Sequence, residues 1–312
     1  MRTITMLTTI LLLTLCSALP AQDGTRLKVI ATIPTYGALA REIGGDLVDV
    51  VVLCRPGQDI HGVTALPSLM GEIAGADMLL YTGLDSESWL DGMLRGSGNA
   101  RLLPGNPGAI ELSTGLTLKD VPSVLSRSQG DLHALGNPHV WTDPMNVRTM
   151  AAHVKEALME ALPAHADEID ARGKAFHTRL TKAIVDWLTR YRPLAGQRVV
   201  VYHPAWVYFF ERFGIERAGT VEPKPRVAPT VANLEELVDT MKSEDITVVV
   251  REPFNHPDAT DFLEQATGCK VIELATHPGY PEGVDDIVAH FEHNLRTLAD
   301  ALGLDVPPPS DG

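Results

Sequence analysis

One unbroken stretch, HADEIDARGKAFHTRLTKAIVDWLTRY (residues 165–191), lies between the two halves of the chain. It contains no proline and one glycine, Gly173, and its apolar residues recur at helical spacing. At 1.5 Å per residue a helix of this length spans roughly 40 Å. We therefore predict one long helix that runs down both halves of the molecule as a rigid spine. Its apolar face consists of Ile169, Phe176, Leu180, Ile184, Trp187 and Tyr191.

Short strand-like runs alternate with helical patterns on both sides of this helix. Such alternation predicts parallel sheets with helices on both faces, and in such sheets ligands bind beyond the carboxyl ends of the strands. At 312 residues and 45% hydrophobic content, the chain is large enough for two cores. The predicted strands cover residues 27–32, 47–53 and 78–82 before the helix, and 199–202, 246–251 and 270–274 after it.

We predict an α/β fold of two Rossmann-like βα domains with parallel sheets, joined by a long rigid helix. The first domain covers residues 24–162, the connecting helix residues 163–194, and the second domain residues 195–304. Pro307, Pro308 and Pro309 lead into a tail at residues 305–312.

The first 21 residues have the layout of a secretory signal peptide rather than of a membrane span. Arg2 precedes an apolar stretch, which small residues and Pro20-Ala21 follow. We therefore expect a protein that is exported to the periplasm or another extracytoplasmic space. Cys16 raises the question of a lipid anchor, but Leu15 is larger than the small residue that lipoprotein processing usually requires, and we favour a soluble form.

The charge of the chain argues against nucleic acid and anionic lipid as partners. The formal net charge is −14, and loss of Arg2 with the leader takes it to −15. Cys54 and Cys269 are the cysteines that follow the leader, and they lie on widely separated segments. We therefore expect two buried thiols rather than a disulfide framework, and we expect a monomer.

Three histidines at wide and nearly even intervals, His61, His139 and His203, each occupy a short segment outside the predicted helices. His203 directly follows a predicted strand, and prolines on both sides fix the backbone around His139. Neutral imidazole is a good ligand for zinc, copper, iron and nickel. Ligands from distant loops predict a fold that brings strand ends together around one ion.

With these segments in place, the chain resembles the TroA-like (cluster A-I) solute-binding proteins of zinc and manganese ABC importers over essentially its whole mature length. The resemblance implies that His61, His139 and His203 are metal ligands, that the cargo binds between the two domains, and that a membrane permease is the partner. The segments that match the family pattern are Asp59-Ile60-His61, residues 137–144 (NPHVWTDP), residues 202–209 (YHPAWVYF), residues 222–225 (EPKP) and Asn294-Leu295.

The chain departs from the family pattern at the first and fourth ligand positions. Ile60 replaces a proline and Gly62 an aromatic residue beside His61. Many family members supply an aspartate after the last strand, where this chain offers Glu273 and, as the alternative, His277. We predict Glu273 as the fourth ligand. The alternative is a water molecule or an open position at the fourth site, as in zinc sites with three protein ligands.

Residue types in the family indicate the metal, because a histidine at the third position accompanies zinc and a carboxylate accompanies manganese. Three imidazoles also favour Zn2+ over Mn2+ on grounds of ligand softness. We therefore predict the exported zinc-binding component of an ABC importer, which is not an enzyme. The alternatives are a manganese-binding importer component, a periplasmic zinc chaperone and a secreted zinc hydrolase.

A few polar residues near these segments have two interpretations each. His133 either faces water or belongs to a loop through which metal enters. Asp143 fits an N-cap better than a brace for a ligand, and the role of Glu252 stays open. His290 lies outside the apolar stripe of the last helix and is predicted to be solvated.

Overall fold

The computed structural model describes residues 26–122, 133–224 and 227–308. The predicted signal peptide, Cys16 and the last residues of the tail lie outside these ranges. Among the helices described, none combines the length and the apolar character needed to cross a bilayer.

The first half of the chain forms a four-stranded parallel sheet with the strand order β2-β1-β3-β4. Its central strands are buried, as strands covered by helices on both faces must be. The strands are β1 Leu27–Ala31, β2 Val48–Val52, β3 Met78–Tyr81 and β4 Ala109–Glu111. The helices are α1 Pro34–Gly44, α2 Pro67–Ala74, α3 Leu90–Ser97 and α4 Pro144–Ala161.

The second half repeats this design with the strand order β6-β5-β7-β8, again fully parallel. The two sheets and the helices that connect their strands confirm the predicted α/β class. The strands are β5 Arg198–Val201, β6 Glu216–Thr220, β7 Val248–Arg251 and β8 Lys270–Glu273. After the long helix α5, the helices are α6 Val207–Phe213, α7 Val231–Ser243, α8 Asp258–Thr267 and α9 Ile287–Ala301.

The sequence analysis did not predict two of the strands, β4 and β6. β4 has three residues, too few for an alternating pattern to show, and β6 reads ERAGT, which has little apolar character. Both lie at sheet edges, where neighbouring strands supply hydrogen bonds that the local sequence does not reveal.

The predicted spine is present as α5, Ala166–Arg190, a single helix of 25 residues. Its buried stripe includes Ile169, Phe176 and Leu180. It packs against α1 and α4 of the first half and against α9 of the second. The Glu292 carboxylate of α9 accepts hydrogen bonds from Trp187 Nε1 and from the Arg190 guanidinium.

One hydrophobic cluster contains buried residues of both sheets and of α5, for example Val29, Leu180 and Val201. The two halves therefore share packing along the spine. We propose that residues 24–162 and 195–304 are the two lobes, joined by the helix within residues 163–194, as the sequence predicts.

We expect the Leu180→Ala variant to lose about 3–5 kcal/mol of unfolding free energy, because Leu180 is fully buried between the spine and its neighbours. Leu188→Ala on the same helix is the matched control. Leu188 is 43% exposed, so its truncation should change stability by about 0.5 kcal/mol or less. Urea denaturation followed by circular dichroism measures both values, and equal losses would contradict the assigned faces of α5.

Candidate metal centre

His61 lies beyond the carboxyl end of β2, in a single helical turn, Ile60–Gly62. The side chain of Asp59 caps this turn by accepting a hydrogen bond from the His61 main-chain N–H at 2.9 Å. Trp89 Nε1 donates to the Ile60 carbonyl at 2.7 Å and ties the turn to the start of α3. The His61 Nδ1 atom lies 3.1 Å from the Ser86 carbonyl oxygen, to which it donates.

His139 lies just before a helical turn that leads into α4. Asn137 Oδ1 accepts two hydrogen bonds from His139, one from the main-chain N–H at 3.0 Å and one from Nδ1 at 2.9 Å. The other end of the Asn137 amide donates to the Pro204 carbonyl at 2.7 Å, which fixes the orientation of the amide. Asp143 caps α4 through the Met145 N–H, as predicted, and also forms a two-bond ion pair with Arg212.

His203 stands two residues beyond β5, where the chain turns through Pro204 toward α6. Its Nδ1 atom lies 2.9 Å from Glu222 Oε2. Glu222 follows β6, which pairs with β5 in the sheet, so sheet pairing brings the carboxylate to the imidazole.

The three histidines converge. All are buried, and one ring nitrogen from each lies within 4.8 Å of the other two. His61 Nε2 and His139 Nε2 are 3.3 Å apart, and the ring centres of the three residues are 5.1 to 5.9 Å apart. The described residues contain one such cluster of three potential metal-binding side chains.

The hydrogen bonds on Nδ1 determine what this cluster can bind. The partners of His61 and His139 are a carbonyl and an amide oxygen, which accept only, so each Nδ1 carries the proton and each Nε2 carries a lone pair. The two Nε2 lone pairs of His61 and His139 therefore face each other at 3.3 Å with no proton between them. A cation relieves this repulsion, and imidazole nitrogens suit a transition metal.

The pKa values of the three imidazole rings are shifted in different directions. Burial lowers the pKa of His61 to about 4, and burial with the neighbouring histidines lowers that of His139 well below its ordinary value. Burial also opposes charge on His203. However, the hydrogen bond to Glu222 and the nearby Glu252 carboxylate favour the charged form more strongly than burial disfavours it. The pKa of His203 is therefore raised. The neutral form that binds metal is therefore favoured at His61 and His139, whereas at His203 protons compete with metal up to a higher pH.

Glu252 is fully buried behind His203, and burial raises its pKa to about 7. Its Oε1 atom accepts a hydrogen bond from Trp206 Nε1 at 2.7 Å, whereas Oε2 has no hydrogen-bond partner. Glu252 therefore acts on the site through its charge near His203, and it does not belong to the three-histidine cluster.

The structure does not bring the predicted fourth ligand, Glu273, into the cluster. One of its carboxylate oxygens pairs with Arg251, its register partner on β7, and the other accepts from Tyr280 Oη, both at 2.8 Å. The alternative, His277, is also outside the cluster. It stacks on Trp141 with ring centres 5.2 Å apart, and its Nδ1 atom contacts Thr35 Oγ1 at 3.0 Å.

Two clefts, of about 410 and 340 Å³, are both lined by His139 and His203. His133 lines the larger cleft, and its ring centre is 5.1 Å from that of His61. His61 and His256 line the smaller one.

Near His61 the two lobes meet at two glycines. A Cβ atom on Gly279 would lie 2.7 Å from Pro56 Cγ, and one on Gly57 would lie 3.1 Å from the Tyr280 ring. Both glycines have positive φ angles.

Sequence analysis missed the hydrogen-bond partners of the three rings and misplaced one histidine. Asn137 and Glu222 stand in the matched motifs, which is the signal that could have identified them, whereas nothing in the sequence indicates Ser86. His290 was predicted to be solvated but is buried, with its pKa lowered to about 3 by burial. Its Nε2 atom lies 3.5 Å from the Asn294 side chain one turn later, and Asn294 donates to the Ala275 carbonyl beyond β8.

Comparisons with known proteins agree on a metal-binding family. The sequence model of the family described as zinc-uptake complex component A, periplasmic (ZnuA) matches residues 29–301. The high-affinity zinc uptake system protein ZnuA of Brucella abortus is 32% identical over 165 residues, which are 53% of this chain and 49% of that protein. The chain thus spans about half the length of this zinc-uptake relative.

A longer match reaches a protein with a different metal in its name. The manganese-binding lipoprotein MntA of Halalkalibacterium halodurans is 23% identical over 288 residues, which are 90% of each chain. A crystal structure of ZnuA superposes with a TM-score of 0.75 at 22% identity and covers 89% of this chain and 99% of its own. At that identity the structural likeness establishes the fold.

We expect Glu222→Gln to weaken zinc binding about 10- to 100-fold, because the variant loses the carboxylate that orients the His203 ring. Glu235→Gln, on the exposed face of α7, is the matched control and should bind zinc like the wild type. Competition with a chromophoric chelator measures both affinities. Equal affinities would show that Glu222 does not support the ring.

Zinc affinity should also fall as pH falls through the raised pKa of His203, because proton and metal compete for that ring. Because burial disfavours the charged forms of His61 and His139, the protons released on zinc binding at mildly acidic pH should come mainly from His203. Calorimetry in buffers of different ionisation enthalpy measures the number of protons released. It should decrease in Glu222→Gln, whose His203 holds its proton less tightly, and an unchanged number would contradict this account.

Proposed function

Because the chain belongs to the zinc-uptake complex component A family, whose pattern matches residues 29–301, we propose that it captures zinc outside the cytoplasm for an ABC importer. Members of this family bind metal as solute-binding proteins and are not enzymes, and the same holds for this chain. The proposed partner is a membrane permease, and the proposed location is the periplasm.

The observation that carries the proposal is the convergence of three buried imidazoles with their Nδ1 sides already engaged. Such a cluster offers three nitrogen lone pairs and no carboxylate oxygen. Zinc binds this donor set well in tetrahedral geometry, whereas manganese favours oxygen ligands. Zinc is therefore the proposed cargo, although a manganese-binding relative shares the fold.

In the proposed capture step, His61 and His139 act from the first lobe and His203 from the second. Metal bound to all three joins the lobes at the cleft. The continuous packing of α5 against both lobes limits the motion to small shifts of loops and lobes. Release to the permease then requires that one of the three rings leave the metal.

Competitive titration of the mature protein with zinc and manganese tests the cargo. We expect one zinc per chain, bound far more tightly than manganese, and an affinity at least about tenfold lower in His203→Ala because a donor is lost. His177→Ala, an exposed position on α5, is the matched control and should bind like the wild type. A preference for manganese, or an unaffected His203→Ala variant, would overturn the assignment.

Transport itself needs a test in cells. In a strain that lacks this gene, growth under zinc limitation should be restored by the wild-type protein and by His177→Ala, but not by His203→Ala. Restoration that persists when the zinc permease is also deleted would indicate a zinc-buffering chaperone instead of an importer component.

A further inference from the structure

A buried carboxylate outside the metal cluster, Glu87, directly follows the residue whose carbonyl orients His61. We propose that Glu87 is a positioning residue: it holds the turn at residues 82–87, so that the Ser86 carbonyl faces the His61 ring and turns the Nε2 atom of that ring toward the metal. This inference rests on the proposed function, because it concerns the same metal site, but Glu87 itself contributes no ligand.

The Glu87 side chain joins the carboxyl ends of two neighbouring strands. Its Oε1 atom accepts a hydrogen bond from the Thr82 N–H just beyond β3 and another from Thr32 Oγ1 just beyond β1, both at 2.8 Å. Thr32 and Thr82 are themselves fully buried, and Thr82 Oγ1 lies 3.0 Å from Tyr36 Oη on α1. The carboxylate is therefore fixed to the core of the first lobe.

The turn between Thr82 and Glu87 has a disfavoured backbone. Gly83, Leu84 and Asp85 have consecutive φ angles of 81°, 58° and 56°. Glycine adopts this left-handed region freely, whereas residues with a Cβ atom are disfavoured there and remain in it only where the surrounding structure holds them. The hydrogen bond from the Thr82 N–H to the Glu87 side chain closes the turn and supplies such a restraint.

The same turn determines the direction of the Ser86 carbonyl. Ser86 and Glu87 share one planar peptide group, and its carbonyl oxygen lies 3.1 Å from His61 Nδ1. Fixing Glu87 on the strand ends therefore also fixes this carbonyl. If the turn relaxed, His61 could rotate or adopt the other neutral tautomer, which carries its proton on Nε2 and cannot bind metal through that atom.

Glu87 fulfils this role through its hydrogen bonds rather than through its charge. Burial raises the pKa of Glu87, which means that its surroundings disfavour the charged form. Both donors reach the same oxygen, so the amide oxygen of a glutamine can accept both bonds. A glutamine should therefore replace Glu87, whereas an apolar residue of similar size would leave two buried donors without an acceptor.

Zinc affinity of variants with similar side-chain size tests this role. We expect Glu87→Leu to weaken zinc binding about 10- to 100-fold, and Glu87→Gln to bind like the wild type. Asp77→Leu is the matched control, because Asp77 accepts from the Lys28 N–H near the amino end of β1, at the opposite end of the same sheet. It should change stability without changing affinity. Competition with a chromophoric chelator measures the affinities, and circular dichroism shows whether each variant folds.

A milder variant keeps the test decisive if Glu87→Leu does not fold. Thr32→Val removes one of the two donors and preserves the shape of a fully buried side chain. It should also weaken zinc binding, by less than the loss expected for Glu87→Leu. Wild-type affinity in Thr32→Val together with a folded, fully active Glu87→Leu, or with an unfolded one, would overturn the role of Glu87.

Nitrogen resonances of His61 provide a readout that a general loss of stability does not change. In metal-free protein with nitrogen-15 histidine, His61 of the wild type and of Glu87→Gln should carry its proton on Nδ1. His61 of Glu87→Leu, or of Thr32→Val in its place, should populate both neutral tautomers. The His61→Ala variant assigns the resonances.

Two results would contradict the proposal. An affinity loss in Glu87→Gln equal to that in Glu87→Leu would mean that charge, and not the hydrogen bonds, is required. An unchanged His61 tautomer in the variants would show that the turn does not orient the ring. Failure of the wild type to bind zinc would instead overturn the proposed function, and the tautomer measurement would still decide the role of Glu87.

Discussion

The chemistry of the cleft depends on three hydrogen bonds made on the outer side of the histidine rings. Ser86, Asn137 and Glu222 each engage one Nδ1 atom, and this turns the Nε2 atoms toward a common point. Without those acceptors each ring could rotate or change tautomer, and the three Nε2 lone pairs would no longer face one point. The acceptors differ in charge, so the rings differ in proton affinity although they are the same residue type.

A second set of hydrogen bonds connects the segments of two of the three histidines to each other. Asn137 donates to the carbonyl of Pro204, Tyr208 Oη donates back to the Asn137 carbonyl at 2.6 Å, and Arg212 pairs with Asp143. These bonds join the segment that carries His139 to the segment that follows His203, across the two lobes. The turn that carries His61 is held instead by contacts within the first lobe, to Ser86 and Trp89.

The sequence predicted the fold well because the signals are local. The stripe of α5 and the apolar runs of the central strands depend only on residues near one another in the chain, whereas β4 and β6 depend on neighbours across the sheet. The three histidines stand in motifs and do come together in space; their role as ligands stays a prediction. Glu273 could not be judged from sequence, because its pairing with Arg251 follows from the register of β7 and β8. The burial of His290 likewise depends on tertiary packing around α9, which the apolar stripe of that helix does not reveal.

The close contacts of Gly57 and Gly279 bear on the width of the cleft. A methyl group on Gly279 would clash with the Pro56 ring, and one on Gly57 would press tightly on the Tyr280 ring. A side chain at either position would therefore push the Pro56-Gly57 turn and the Gly279-Tyr280 turn apart. The close approach of these two turns thus depends on glycine at two positions that do not belong to the histidine cluster.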